Sequence, residues 1–313
     1  MIKFKRQDLT PSARGFVVLA GFFFAVAGLC GEPLAGDAAH FIRDGIGARA
    51  RGLGGTFVAV ADDVTAVFWN PAGLVQSPSF RLGTSYSSRF GGLLSSSSAM
   101  VALGQGPVGM GAMYFTEDIY NMLSLGVGLA HGRLRLGGAV KLYSFSARTE
   151  IARGVGFDLG LLLSWSEGRG AVAVGFVSRD IGWTRIRWRG LGLEVVDAAA
   201  WVNQLGLAFR EPFVSGEWLF TGALEIALRR PPREGEPDYL EKNLEISLSA
   251  GVEFALGGVY FRTGFSRLDP RRDALPKSFT AGIGVSLGGL KVDMTWEQAR
   301  LGPSYTASLE MSF

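Results

Sequence analysis

From Ser79 to Phe313 the chain repeats one unit, a stretch of roughly ten residues alternating apolar with small or polar side chains, followed by a turn. In the last stretch Tyr305, Ala307, Leu309, Met311 and Phe313 take every second position. Successive side chains on a strand point to opposite faces, so each stretch has one greasy face and one wet face. A strand of about ten residues tilted by about 45° crosses a hydrocarbon layer. Backbone groups cannot go unpaired in lipid, so such strands must close on themselves. The pattern predicts an all-β chain, a transmembrane antiparallel up-and-down β-barrel.

About fourteen strands are expected, starting near Phe80, Ala99, Val108, Met122, Arg133, Gly156, Ala171, Trp201, Trp218, Leu244, Val259, Phe279, Leu290 and Ser304. The clearest sets Leu244, Ile246, Leu248, Ala250 and Val252 against Glu245, Ser247, Ser249, Gly251 and Glu253. Short turns, such as Gly104 to Pro107, Leu256 to Gly258 and Leu287 to Gly289, alternate with longer polar connections. The longer ones are 90–95, 116–121, 147–154, 179–200, 229–243, 269–277 and 298–303. Outer-membrane barrels show this asymmetry, with short periplasmic turns and longer outside loops. It places both mature ends on the periplasmic side of a bacterial outer membrane and requires an even strand number. A soluble sandwich or propeller also alternates, but with strands nearer five or six residues, and no blade-length repeat is visible.

The first 36 residues read as a secretory signal peptide and short leader. Lys3, Lys5, Arg6 and Arg14 precede the apolar stretch Phe16 to Leu29, followed by small residues and Pro33. An N-terminal membrane anchor is the alternative. Cys30, the only cysteine, excludes an internal disulfide and a cysteine metal cluster. A lipidated Cys30 is the reading its position invites, against which stands the bulky Leu29. The leader's four basic residues against Asp8 and Glu32 account for +2 of the net charge of +3, leaving about +1. That balance gives no sign of a nucleic-acid partner, and no aromatic and basic platform for bases is present.

Catalytic and cofactor signals are weak. Two glycine patterns, Gly45 to Ala50 and Gly104 to Gly109, fit a dinucleotide fingerprint, but neither lies between a strand and a helix, so neither implies a cofactor. Only His40 and His131 supply imidazoles. His131 falls in a turn expected on the periplasmic side, which argues against a triad near the outside loops and against a histidine zinc site. An enzyme and a metal are therefore not expected. The alternation places Arg135, Lys141, Asp158, Glu225, Glu245, Glu253, Arg262, Lys291, Asp293, Glu297 and Glu310 on lumen-facing positions, where ion pairing is the plain explanation for paired acids. The run Trp183 to Arg189 interleaves aromatic and basic residues and has two readings. Its rings and arginines suit a lipid interface and headgroup phosphate; equally, it extends a strand above the membrane, with its arginines on one side and Trp183 out of register.

Residues 37–78 do not alternate like the rest and read as a segment folded into the lumen, a plug. Gly47, Gly52, Gly54 and Gly55 allow tight turns and close backbone approach. Pro71 ends whatever precedes it, and Asn70 can bond locally to backbone in a turn. Arg49 and Arg51 could meet Asp62 and Asp63, or inward-facing barrel carboxylates, since charges inside a barrel need partners. The bland alternative is a segment that starts the barrel and gates nothing.

The run GARARGLGGTFVAVADD, followed by FWNPAGL, spans 47–74 and resembles the N-terminal signature of the PorV/PorQ group of outer-membrane proteins. That group is similar to the FadL family of hydrophobic-compound transporters. The motif covers about thirty residues; beyond it the similarity is one of architecture. The resemblance implies that Asn70, Pro71 and Ala72, with Gly73 and Leu74 following, correspond to the FadL-type NPA turn of an N-terminal hatch. It implies passive passage of a small hydrophobic or amphipathic compound across the outer membrane, entering from outside and gated by that hatch, with outer-membrane lipid surrounding the barrel. A second implication, from PorV, is a role in engaging exported proteins or other components of a type IX-like secretion machinery.

Overall fold

A computed structural model describes residues 43–76, 79–147, 150–167, 170–189, 196–213, 218–230, 245–268, 270, 276–299 and 301–313. The expected leader, Cys30 and His40 lie outside these residues, as does the whole proline-bearing connection 231–244.

The strands are β1 (Phe80–Arg89), β2 (Leu94–Gln105), β3 (Val108–Glu117), β4 (Tyr120–His131), β5 (Leu134–Ala147), β6 (Glu150–Glu167), β7 (Gly170–Arg179), β8 (Thr184–Arg189), β9 (Val196–Ala199), β10 (Trp201–Phe213), β11 (Trp218–Arg230), β12 (Glu245–Leu256), β13 (Val259–Leu268), β14 (Ser278–Leu287), β15 (Leu290–Ala299) and β16 (Gly302–Ser312). Each long strand pairs antiparallel with its neighbours, β7 pairs with β10, and β1 closes the ring on β16 with Leu82 opposite Met311. Leaving out the short pair β8–β9, fourteen strands form a closed antiparallel barrel.

The short pair is an upward extension of the wall. After β7 the chain kinks through Asp180 to Trp183, both with positive φ, and β8 resumes against the upper part of β6. β9 returns beside β8 and leads into β10. Of the two readings of Trp183 to Arg189, the extended strand therefore holds, with Trp183 out of register.

The barrel is inside out relative to a soluble sandwich. Met294, Tyr305 and Phe157 are 59%, 57% and 54% exposed on its outer face, whereas Glu253, Arg262 and Asp293 on the inner face are 3%, 4% and 5% exposed. Large apolar side chains with no second sheet over them among the described residues fit hydrocarbon as their solvent. Among the described residues no helix is long and apolar enough to cross a membrane.

Four connections expected to be long are short. The chain turns at 118–119 between β3 and β4, with Thr116 opposite Asn121 and Glu117 opposite Tyr120. Only 90–93, 148–149 and 300–301 separate the other three pairs. Polar residues at these strand ends keep their ladder hydrogen bonds beyond the apolar zone, so polarity there marks depth and not a loop. The asymmetry between the two ends rests on 180–200, 231–244 and 269–277. Phe80 and Phe313 meet at the short-turn end, their rings 5.8 Å apart, so the barrel begins and ends on one side.

Candidate functional site: a segment held inside the barrel

Residues 43–76 lie within the ring of strands. Helix α1 (Ala48–Gly52) packs on the inner faces of β13 to β16, and the 3-10 turn Pro71–Gln76 packs on β2 to β6. Between them the backbone of Val58 and Ala59 meets Gly175 of β7 and Gly206 of β10, and Leu53 meets Gly251 of β12. Phe57, Phe68 and Trp69, the last two in helix α2 (Ala66–Trp69), form an aromatic knot, with Trp69 edge-on to Phe68 at 5.3 Å and to Phe57 at 6.1 Å. Trp69 donates its indole N–H to the Ile46 carbonyl at 2.9 Å, and Arg179 donates to the Trp69 carbonyl at 2.7 Å.

One flank is held by shape. Asn70 is fully buried: its Nδ2 donates to the carbonyls of Val58 at 2.9 Å and Leu161 of β6 at 3.2 Å, and its Oδ1 accepts from Ala72 N–H at 3.1 Å. The wall makes room for this turn with glycine. A Cβ at Gly160 would lie 2.1 Å from Asn70 Oδ1, and one at Gly137 would lie 2.2 Å from the Ala72 nitrogen. Gly109, Gly111, Gly126 and Gly128 similarly face Leu74 and its neighbours, and Leu74 is fully buried. Gly73 fits against Ala61, whose carbonyl oxygen would be 2.0 Å from an added Cβ.

The other flank is held by charge and hydrogen bonds. Arg49 binds Glu253 of β12 through two nitrogens, at 2.9 and 3.0 Å, pairs with Asp62 and reaches Asp63 at 3.4 Å. Arg51 pairs with Glu297 of β15 at 2.6 Å. Ala48 N–H donates to Ser308 Oγ at 2.7 Å, while Thr295 and Thr280 donate to the carbonyls of Ala48 and Gly52 at 2.6 and 2.9 Å. Gly47 precedes α1 at φ 88°, and Gly54, at φ 68°, sits against the Phe265 carbonyl too closely for any Cβ. Gly52 and Gly55 belong to the same tight passage, with Gly52 against Thr295 and Arg262.

Electrostatics follow from burial and partners. Burial alone would raise Asp62, but the Arg49 and Arg210 guanidiniums outweigh it and hold its carboxyl well below the usual range. Asp44 is likewise lowered, burial being overcome by Arg267 and Arg89. Burial would lower Arg49, yet Asp62, Glu253 and Asp63 together push it upward. Asp63 also accepts from the Thr65 N–H at 2.9 Å and hydroxyl at 2.5 Å, turning the chain into α2.

The lumen-facing candidates all lie on the inner face. Arg262 bridges Glu253 at 2.6 Å and Asp293 at 2.7 Å. Lys141 bridges Asp158 at 2.8 Å and Asp180 at 2.5 Å. Glu225 accepts from Val58 N–H at 3.3 Å and Gln204 at 2.5 Å, and Glu310 accepts from Val64 N–H at 3.2 Å and pairs with Arg81 at 3.1 Å. Glu245 meets Arg43 at 3.4 Å, Lys291 is 4.0 Å from Asp293, and Arg135 donates to Ser164 at 2.6 Å. Asp44, which pairs with Arg89 and Arg267, was not singled out from the sequence, nor were Glu117 (paired with Arg89), Arg179 and Asp180. The wall glycines were missed as well. Their signal was present in pairs two apart, Gly109 with Gly111 and Gly126 with Gly128, which share a strand face.

At the long-loop end a cavity of about 410 Å³ opens above the segment. Gly54, Gly55 and Trp69 form its floor, and Arg51, Arg179, Glu225, Glu245, Arg267 and Glu297 contribute to its walls. It suits water or the polar end of a molecule better than a bare hydrocarbon. Among the described residues no cluster of His, Cys, Asp and Glu could hold a metal ion.

No family model matches the chain, and no curated protein matches it in sequence. Its fold is similar to solved channel structures, two of which serve as examples. One is the toluene transporter TodX of P. putida, with a TM-score of 0.56, 12% identity, and 86% of this chain and 99% of that one covered. The other is the monoaromatic hydrocarbon channel CymD, with a TM-score of 0.54, 12% identity, and 86% and 98% covered. At that identity the likeness is one of fold.

Proposed function

We propose that the protein is a FadL-like channel of the bacterial outer membrane. It would pass a small amphipathic or hydrophobic compound inward, with residues 43–76 as the gate. The observation that carries this reading is the seating of the Asn70–Leu74 turn in a glycine-lined socket of a fourteen-strand barrel. The likeness in fold to two hydrocarbon channels supports the same reading. The long-loop end faces outward and the barrel's two ends meet at the periplasmic side, as the usual asymmetry of such barrels requires. Cargo then enters the charged cavity first, so a compound with one polar end is better served there than a pure hydrocarbon. Passage requires the segment to shift, because it is packed on strands at both flanks of the lumen.

Uptake into vesicles carrying the purified protein tests this, with a monoaromatic alcohol and a medium-chain fatty acid as probes. Protein vesicles should exceed empty ones, and Asn70→Ala should change the rate. Equal uptake by protein-bearing and empty vesicles removes the proposal. The similarity of residues 47–74 to the PorV/PorQ signature supports a second reading, engagement of exported proteins; a stoichiometric partner co-purifying from native membranes, with no uptake, selects it.

A further inference from the structure

On the outward faces of β3 to β6 two neighbouring cross-strand rows differ sharply. The lower row is apolar: Tyr114 lies opposite Leu123, Leu123 opposite Leu142, and Leu142 opposite Val155. Tyr114, Leu142 and Val155 are exposed. Two residues nearer the long-loop end the row turns polar, running through Thr116, Asn121, Ser144 and Arg153 to Arg187 of β8. The change from apolar to polar marks the upper limit of the hydrocarbon.

The polar row ends in a repulsion. Arg153 and Arg187 are directly opposite each other on paired strands, both exposed, and no described carboxylate lies within ion-pair distance of either. Like charges so placed destabilise a sheet. An anion between them would replace the repulsion with charge-assisted hydrogen bonds, for which a phosphate matches guanidinium geometry. Beneath the pair lies a groove of about 620 Å³, with Leu123, Leu142 and Val155 in its lining and Arg153, Arg185 and Arg187 along its rim. A free phosphate would use only the rim. A molecule carrying phosphate on an acyl body would use both.

We infer that this groove seats a phosphorylated glycolipid of the outer leaflet, its phosphate between Arg153 and Arg187 and its acyl chains against the apolar row. The site rests on the outward orientation proposed above, but not on transport. The bound lipid neutralises the pair, fixes the β6–β8 extension at the membrane surface and sets the height of the barrel in the leaflet.

Native mass spectrometry of the detergent-purified full-length protein, titrated with lipid A, tests the site. Arg153→Gln/Arg187→Gln should weaken lipid A retention about 30-fold, from two surface cations each contributing in the usual range. Arg187→Gln alone should give a smaller loss, and covers the case of a double variant that fails to fold by heat-modified gel mobility. Arg133→Gln, at the opposite end of the barrel, should leave retention unchanged. Equal retention by wild type and either rim variant overturns the site, as does equal retention of dephosphorylated lipid A. Displacement by inorganic phosphate at lipid-like concentrations overturns the glycolipid as occupant. Selective retention of phosphatidylglycerol through the same arginines overturns both the glycolipid and the orientation. Uptake into vesicles lacking lipid A reads the transport proposal separately, and the rim variants should not alter it.

Discussion

The two flanks of the inner segment are held by different physics. Against β3 to β6 the contact is steric: backbone and apolar side chains press into spaces left by glycines, with Asn70 supplying the directional bonds. Against β12 to β16, where Leu53 and Gly54 also approach Gly251 and Gly264 closely, ionic and polar bonds are added through Arg49, Arg51, Thr280, Thr295 and Ser308. Close packing does not loosen by degrees, since a small displacement already forfeits much of the contact. Buried ion pairs behave otherwise. Their attraction is offset by desolvation, so their net contribution is small as long as both partners stay together. Water entering from the charged cavity, whose wall includes Arg51 and Glu297, can replace those partners. The ionic flank is therefore the one expected to yield when the lumen opens, with the glycine flank as the fixed side.

Removing the central cation should break this asymmetry most. Arg49→Met leaves Asp62, Asp63 and Glu253 facing one another with one guanidinium fewer, at a cost of about 3–5 kcal/mol by analogy with broken buried pairs. Residues 43–60 should lose hydrogen-exchange protection while 70–75 keep theirs, and single-channel conductance should rise. Uniform loss along the segment would show that the flanks are not independent.

A graded pair sharpens the steric side. Gly137→Val drives a branched side chain into the Ala72 backbone and should cost about 3 kcal/mol, whereas Gly126→Ala meets the ends of the Leu74 and Val67 side chains, 3.1 and 3.3 Å away, and should cost well under half as much. Protease cleavage within 70–76 is the measurement. Equal susceptibility of the two variants would mean that the socket is looser than its distances. Next comes Asn70→Ala, which strips partners from two carbonyls and one N–H, for about 2 kcal/mol.

The two flanks were unequally legible in the sequence. Alternation exposes which residues share a face, so the inward acids and bases of β12 to β16 could be named, and Arg49 and Arg51 could be matched to a short set of partners. Which partner each takes depends on register across the barrel: Arg49 takes Asp62, Asp63 and Glu253, while Arg51 takes Glu297. The glycine flank was hidden because glycine has no side chain to declare a face, and 45 of them read as general dilution. The turn at Asn70 and Pro71 was readable from residue chemistry and its match to the NPA motif from resemblance; its bonds to Val58 and Leu161 depend on contacts that no local pattern encodes. Strand ends were misread at 116–121 and 147–154 because polarity there reports exposure to water above the lipid, which strands and loops share.

Acid supplies the mildest way to separate the flanks. Asp62 has a folded-state pKa held below its unfolded value by Arg49 and Arg210, with burial opposing them. A depressed carboxyl contributes stability that is fully present above the unfolded value and is lost as pH falls through the folded one. From pH 7 to about 5 the segment should therefore stay attached. Below about pH 4 its contribution should begin to fall, and the β12 to β16 flank should release first. Asp44, lowered in the same sense by Arg267 and Arg89, adds to the effect from the cavity side. The glycine flank has no such group among Asn70 to Leu74, so exchange protection there should be flat over the same range. Arg210→Gln removes one of the two cations acting on Asp62 and should move the onset of release to higher pH. An onset that does not move would assign the acid response to another depressed carboxylate, with Asp44 between Arg89 and Arg267 the next to replace by Asn.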